Sequence, residues 1–195
     1  MTEPMDERTR RIVETAMELA EQGGYEAVRL RDLAAHAEVA LGTLYKRFRS
    51  KEDILVAVLE LEMERLQETL QATPAPGETP LDRIWFFFTT ATQTLVSKPN
   101  LARATLRATA SGEPASAEKV LNFNERMVTL ICDALVRDTD PDPLPMEQAR
   151  VVAFFLQQIW FASLVGWMGG MLDVGMVVEQ VRMAATLLLK GVTAD

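Results

Sequence analysis

Hydrophobic residues recur at helical spacing along the whole sequence. Leu30, Leu33, Ala34 and Ala37, for example, follow the i, i+3, i+4, i+7 pattern that places side chains on one face of a helix. The sequence has no strand-like alternation of polar and apolar residues and no internal repeat. This pattern predicts an all-α fold of nine helices, at residues 6–22, 29–37, 41–48, 51–72, 81–97, 100–111, 115–137, 146–168 and 174–191.

Capping and breaking residues fix several helix ends. Gly23-Gly24 is predicted to end the first helix. Ser50, followed by Asp53, and Thr79, followed by Pro80, are typical residues before a helix start. Loops are predicted to begin at Pro74 and Asp138, where proline and small polar residues cluster, and Asp173 is predicted to cap the last helix.

The second and third predicted helices have the length and spacing of a helix-turn-helix. Leu44 and Phe48 lie at i, i+4 and would face the domain core, while Val39 would fill the corner. The other face then carries small, polar and cationic residues that can approach DNA. The residues predicted to contact DNA are Arg29, Arg31, Leu41, Gly42, Thr43, Tyr45, Lys46, Arg47 and Lys51.

Charge supports a local DNA-binding surface. The chain has a net charge of −8, yet residues 25–51 hold six Lys or Arg and three Asp or Glu, and residues 41–51 hold four cations and no acid. A DNA footprint requires a basic patch and not a basic protein. Residues 53–195, with 18 acids and 11 bases, would orient the basic end toward DNA. The alternative is that residues 42–51 form the solvated end of a surface helix.

Residues 12–60, and most specifically the pattern GTLYxxFxSKExL from Gly42 to Leu55, resemble the DNA-binding domain of the TetR family of bacterial repressors. The resemblance implies a three-helix DNA-binding domain at residues 1–52 and a helical ligand-binding and dimerisation domain at 53–195. It also implies a homodimer through the last two helices on a palindromic double-stranded operator. Glu38 stands where the family usually has glycine, and Ala40 where it usually has Ser or Thr. An acid followed by Val-Ala before GTLY also occurs in the branch that contains the cholesterol-catabolism repressors.

Two features of the larger domain carry predictions about packing. Helices 8 and 9 have more apolar surface than a monomer can bury, and Ala162, Ser163 and Gly166 would allow a second copy to approach closely. Residues 84–88 (IWFFF) place apolar side chains on all sides of helix 5, which predicts a helix buried all round.

The family resemblance implies a cavity for a small-molecule effector in the second domain. The residues predicted to line it are Trp85, Phe88, Thr92, Phe123, Met127, Phe155, Gln158 and Trp160, although ordinary core packing also accounts for each of them. Arg103 and Arg107 lie at i, i+4, where two cations repel unless an anion joins them. The branch resemblance implies an acyl- or steroid-CoA effector, whose phosphates these arginines would meet.

Other classes of function find little support in the sequence. One His, one Cys, no phosphate-binding loop and no metal-ligand spacing argue against an enzyme, a metal site or a cofactor. The absence of an apolar secretion signal and of an uninterrupted apolar run of membrane-spanning length predicts a cytoplasmic protein without a membrane partner. The prediction is therefore a ligand-responsive repressor. A regulator of a drug-efflux gene that responds to aromatic or cationic compounds, and a non-enzymatic lipid-binding protein, remain as alternatives.

Overall fold

The computed structural model describes residues 5–73, 75–137 and 139–192; Pro74 and Asp138, where two loops were predicted to begin, lie outside the described residues. The described residues form nine α-helices and no strand, which confirms the predicted all-α fold. The helices are α1 (Glu7–Ala27), α2 (Leu30–His36), α3 (Leu41–Arg47), α4 (Lys51–Ala72), α5 (Pro80–Val96), α6 (Pro99–Ala110), α7 (Ala117–Leu135), α8 (Met146–Met168) and α9 (Val174–Val192). A 3-10 turn at Pro114–Ser116 precedes α7.

Local capping explains where the helices begin. The Thr79 hydroxyl accepts a hydrogen bond from the Asp82 backbone N–H at 3.2 Å, the Asp82 carboxylate accepts one from the Thr79 N–H at 3.3 Å, and Pro80 follows the cap. At the start of α4, the Ser50 hydroxyl accepts from the Asp53 N–H at 3.0 Å. Asp173 accepts from the Met176 N–H at 2.8 Å at the start of α9.

The predicted end of the first helix at Gly23-Gly24 coincides with a kink that separates two helical segments of α1. Gly23 and Gly24 leave helical geometry, with φ of −137° and +68°, and the helix then resumes to Ala27. A side chain would meet no atom within 4 Å at Gly24, so its left-handed φ is what favours glycine there.

The described residues divide into two compact units. The first comprises residues up to Glu64 together with Lys98–Phe123, and the second comprises Arg65–Ser97 together with residues from Asn124 onward. Helix α6 belongs to the first unit because it packs along α1. The division of function at residue 52 remains a prediction.

The first unit has one hydrophobic core. Leu33 of α2, Leu44 of α3 and Ile54 of α4 are fully buried in it, beside the inner face of α1. Helix α6 adds Leu101, Ala104 and Ala108 to the same core. Burying a leucine or isoleucine side chain is worth roughly 1.5–3 kcal/mol, so this shared core holds the short helices α2 and α3 in place.

In the second unit, α5 and α8 pack against α9. Phe88 and Trp160 lie with their ring centroids 5.7 Å apart, and the Trp160 indole N–H donates to the Thr92 hydroxyl at 2.9 Å. The indole is thereby both packed and hydrogen-bonded, as a buried tryptophan requires.

Arg83 of α5 is a large charged residue that is almost completely buried in the second unit, with 1% of its surface exposed. Its guanidinium donates to the backbone carbonyls of Ala134 and Leu135 at 2.8 and 3.0 Å, at the C-terminal end of α7, and to the Asp140 carboxylate at 2.7 Å. Burial opposes ionisation of Asp140, but the hydrogen bond from Arg83 lowers its pKa. The arginine therefore caps the C-terminus of α7 and links it to Asp140, which follows the helix.

The prediction that helix 5 is buried all round is wrong. Phe87 and Phe88 are buried, but Trp85 is 40% exposed, with the Arg182 guanidinium carbon 5.3 Å from its ring centroid. An aromatic residue can face solvent when a cation covers part of its ring, so apolar residues on every side of a helix do not prove complete burial.

Helices α8 and α9 leave an apolar surface exposed. Its members in the described residues are Val151, Phe154, Phe155, Met176, Met183 and Leu187, each 47–72% exposed. By length and composition alone α8 could cross a membrane, but 44% of its most apolar stretch is buried inside the chain. This set of six residues is called the apolar face below.

Two of the small residues predicted to approach a second copy are used inside the chain instead. The Ser163 hydroxyl is buried and donates to the Gln180 side chain of α9 at 2.7 Å. A Cβ at Gly166 would lie 2.9 Å from Leu172. Both residues therefore bring α8 close to its own chain, and of the three only Ala162 is exposed.

Candidate nucleic-acid interface

The corner between α2 and α3 keeps a left-handed turn without glycine. Glu38 has φ of +52°, and the Val39 N–H donates to the Ala34 carbonyl at 2.9 Å. A non-glycine residue in this conformation costs roughly 1–2 kcal/mol. Ala40, at the cap of α3, supplies no side-chain hydrogen bond, so α3 begins without the usual cap.

Helix α3 is divided between a buried and an exposed face, as the sequence predicted. Leu44 is fully buried and Phe48, which follows the helix, is 2% exposed. Tyr45 is 52% exposed, and Gly42 faces open space. The exposed face can therefore approach a DNA groove while the buried face holds the helix on the core.

Five further candidates for DNA contact are exposed or half-buried. Arg29, Arg31 and Lys46 are exposed, and Leu41 and Thr43 are half-buried at the start of α3. The Thr43 N–H donates to the Ala40 carbonyl at 2.8 Å.

Arg47 is held by the start of α1. Its guanidinium donates to the Asp6 carboxylate and to the Thr9 hydroxyl. Asp6 also caps α1, accepting from the Arg8 and Thr9 backbone N–H groups at 3.1 and 3.0 Å. The hydrogen bonds from Thr9, then that from Arg47, lower the pKa of Asp6 to about 2, so it is ionised at neutral pH.

Lys51 lies at the centre of a cluster that joins the end of α1 to the start of α4. Its ammonium donates to the Tyr25 carbonyl at 3.1 Å and is 4.2 Å from the Tyr25 ring centroid. The Tyr25 hydroxyl donates to the Glu52 carboxylate. Burial, followed by this hydrogen bond, raises the pKa of Tyr25 to about 12, so the phenol keeps its proton.

A second cation anchors the segment after α3. Lys119 of α7 pairs with the buried carboxylate of Asp53 and lies 5.0 Å from the Phe48 ring centroid. The other Asp53 oxygen accepts from the Arg49 backbone N–H at 2.9 Å. Asp53 therefore fixes the backbone directly after α3 while its charge is balanced by Lys119.

Sequence reasoning missed Asp6, Tyr25 and Lys119 as parts of this interface. Asp6 and Arg47 are 41 residues apart, and Asp53 and Lys119 are 66 residues apart. No local pattern signals pairs at such separations. For Tyr25 alone there was a local signal, namely its position directly after Gly23-Gly24.

The residues predicted to bind an effector fall into two groups. Phe88, Thr92, Met127 and Trp160 are buried in the second unit, and Phe123 is buried in the first. Trp85, Phe155 and Gln158 are exposed. Among the buried residues the structure joins Phe88, Thr92 and Trp160 directly; the role of the whole set remains a prediction.

Arg103 and Arg107 are exposed on α6. Arg107 already faces an acid, since its guanidinium donates to the Glu26 carboxylate at 3.1 Å. It also lies over the Tyr25 ring, 3.8 Å from the centroid. The contact of these arginines with CoA phosphates remains a prediction.

The second unit contains a cavity of about 180 Å³ that the sequence did not indicate. It lies between α4, α5 and α7. Its walls are formed by Gln67, Leu70, Gln71, Ala75, Phe87, Leu130, Asp133, Ala134 and Arg137. Burial raises the pKa of Asp133, and the Arg137 guanidinium donates to the Ala75 carbonyl.

Comparison with known families agrees with this arrangement. Residues 12–58 match the profile of the bacterial regulatory proteins of the tetR family, and residues 77–188 match the C-terminal domain of tetracycline-repressor-like proteins. The chain belongs to the TetR family. It is therefore a DNA-binding transcriptional regulator of that family.

The relatives of this TetR-family chain include the transcriptional repressor KstR of Rhodococcus jostii, 33% identical over 94% of this chain and 83% of the relative. This places the chain in the KstR branch. A solved TetR regulator from Rhodococcus sp. RHA1 superimposes with a TM-score of 0.81 at 27% identity, over 93% of this chain and 95% of that one. Thermus thermophilus FadR, solved with lauroyl-CoA, shares the fold, with a TM-score of 0.66 at 18% identity over 94% of each chain.

Proposed function

We propose that this chain is a cytoplasmic transcriptional repressor that binds a palindromic operator as a homodimer and leaves it when a small effector binds. The observation that carries the proposal is the exposed face of α3, which presents Tyr45 and Lys46 from a helix whose opposite face is fully buried. The name of its Rhodococcus jostii relative supports repression. The relatives are regulators and not enzymes, and we infer no catalytic role.

Selection of bound duplexes from a random DNA pool tests operator binding. The proposal expects enrichment of an inverted repeat whose half-sites are separated by about one helical turn, roughly 34 Å, or a multiple of it. Affinity for the selected duplex should fall steeply with salt. Enrichment of no sequence would contradict the proposal and would favour a lipid-binding protein instead.

The homodimer would form through α8 and α9. The apolar face on these helices exposes large side chains that water solvates poorly, including Phe155 and Leu187. Pairing with the same face of a second copy would bury them in a four-helix bundle and would place two α3 helices on one operator.

The effector would be apolar or an acyl- or steroid-CoA ester and would bind in the predicted domain at residues 53–195. The resemblance to the branch of cholesterol-catabolism repressors implies this class, and FadR of Thermus thermophilus, which shares the fold, was solved in complex with lauroyl-CoA. The cavity of about 180 Å³ is smaller than the roughly 300–1,000 Å³ of drug-sized pockets. We therefore propose that the effector enlarges this cavity and so favours a second conformation of the protein.

Native mass spectrometry of the protein purified from its own cytoplasm tests the effector class. A dimer that carries a lipid, steroid or CoA ester supports the proposal. A bound cationic or aromatic compound would favour regulation of drug efflux. Addition of the identified compound should then release the operator, because a ligand shifts an equilibrium only by its different affinities for the two states.

A further inference from the structure

Tyr25, Glu26, Lys51, Glu52 and Arg107 of the first unit form a cluster in which the Glu26 carboxylate lies between two cations. The Glu26 carboxylate accepts from the Arg107 guanidinium at 3.1 Å through one oxygen, and its other oxygen is 3.9 Å from the Lys51 ammonium. Both cations also lie over the Tyr25 ring. Glu26 is thus hydrogen-bonded to Arg107 but only in ion-pair range of Lys51.

Lys51 has a fixed position and unused hydrogen-bonding capacity. Its side chain is 21% exposed and donates to the Tyr25 carbonyl. An ammonium has three donors, so this bond leaves others for a further acceptor. A phosphate oxygen of DNA and the Glu26 carboxylate would compete for them, since both are anions.

We propose that Arg107 is a positioning residue for operator binding: it holds the Glu26 carboxylate away from Lys51, so that the Lys51 ammonium can pair with an operator phosphate. The inference rests on the proposed function, because it requires that the first unit binds DNA. It makes α6 part of the DNA-binding machinery although α6 itself need not touch DNA.

The physical reason is that Arg107 and Lys51 compete for the Glu26 carboxylate. With Arg107 present, Glu26 forms a charge-assisted hydrogen bond with a guanidinium, whose planar donors suit a carboxylate. Without Arg107, Lys51 is the cation of the cluster that remains for Glu26, and closing the 3.9 Å gap would neutralise the ammonium. Glu26 and Arg107 are 75% and 56% exposed, so solvent screening limits the effect on affinity to a few-fold.

Fluorescence anisotropy of the full chain on its selected operator, over a series of salt concentrations, tests this inference. Arg107→Gln should weaken binding about threefold more than Lys98→Gln, which removes one cation from the exposed Lys98–Glu21 pair at the start of α6. The slope of log K against log salt should become shallower by about 0.9 for each phosphate that the variant no longer neutralises. Lys98→Gln should leave that slope nearly unchanged.

The double variant Glu26→Gln/Arg107→Gln separates positioning from structural support. Removing the competing acid should restore the salt slope and the affinity to the level of Glu26→Gln alone. In a Lys51→Gln background, Arg107→Gln should have no further effect on the slope. Thermal melting of each variant verifies that it is folded.

Two results would overturn the inference. One is equal affinity and slope for the Arg107→Gln and Lys98→Gln variants; the other is an Arg107→Gln defect that persists when Glu26 is also replaced. Failure of the wild-type chain to bind any selected duplex would instead contradict the proposed function.

Discussion

The guanidinium of Arg47, at the end of α3, is bound to the Asp6 carboxylate at the N-terminus of α1. Thr9 accepts a second hydrogen bond from the same guanidinium. A residue predicted to contact DNA is therefore oriented, and its charge partly balanced, by Asp6, which precedes it by 41 residues. An operator phosphate that paired with Arg47 would have to compete with Asp6.

Replacement of Asp6 by asparagine should strengthen operator binding. Asparagine caps helices as well as aspartate does, so α1 should remain intact, while the competing charge is lost. Because the pair is exposed, we expect an increase in affinity of about threefold. The measurement is operator affinity by fluorescence anisotropy at neutral pH, where the low pKa of Asp6 leaves the wild-type carboxylate charged.

Glu7→Gln is the matched control for this variant. It removes the same charge one residue along the first turn of α1 but leaves the Asp6–Arg47 pair intact. Equal affinities for Asp6→Asn and Glu7→Gln would show that Asp6 acts only through the overall negative charge at the start of α1, and not through its pair with Arg47.

Replacement of Glu38 by glycine should stabilise the chain. Glu38 has φ of +52°, which glycine adopts without the clash of a Cβ. After the greater flexibility of unfolded glycine is counted, we expect the free energy of unfolding to rise by about 1 kcal/mol, as measured by urea denaturation. Ala35→Gly, inside α2, should lower it by about 1 kcal/mol. A fall in stability in both variants would contradict the strained corner.

Replacement of Lys119 by methionine should destabilise the first unit. It would leave the Asp53 carboxylate, which is only 3% exposed, without its cation. Breaking a fully buried pair costs roughly 3–5 kcal/mol, and because the Lys119 side chain is 29% exposed we expect about 2 kcal/mol in urea denaturation.

Lys98→Met provides the comparison for Lys119. Lys98 pairs with Glu21 at 3.8 Å between two half-exposed side chains, so its loss should cost less than about 1 kcal/mol. If both methionine variants lost the same stability, the Asp53–Lys119 pair would have no special role in holding the segment after α3.

The dimer prediction is tested by a charge on the apolar face. Phe155 is 47% exposed on α8, and Phe155→Glu would place a carboxylate in the proposed four-helix bundle. We expect a monomer by analytical ultracentrifugation. We also expect a loss of operator affinity of at least about tenfold, because two linked DNA-binding domains bind far more tightly than one. Glu147→Lys, on the exposed first turn of α8, is the control. A Phe155→Glu dimer would contradict this interface.

The sequence predicted those features that depend on neighbours along the chain. Helices α4 and α8 begin and end at the predicted residues, because Ser50 and Gly169 mark boundaries that a local pattern reveals. The two faces of α3 follow from helical periodicity alone. The predicted dimer, effector and DNA contacts need partners that a single chain does not contain.

Contacts between distant parts of the chain could not be predicted in this way. Arg83 and Asp140 are 57 residues apart, and Glu26 and Arg107 are 81 apart. A charged residue in an apolar helix, such as Arg83, carries no sequence signal of whether it will be buried. The 40% exposure of Trp85 was missed for the same reason, since the cation over its ring comes from α9.

The measurement that tests the central claim most directly is the affinity of wild type and Tyr45→Ala for the selected operator and for a scrambled duplex of the same length. Tyr45 is exposed on the face of α3 that would enter the groove, and its removal leaves the buried face unchanged. We predict a loss of roughly ten- to a hundredfold on the operator, the value of one specific contact in each half-site, and much less on the scrambled duplex. Equal affinities of the two proteins for the operator would show that α3 does not read DNA.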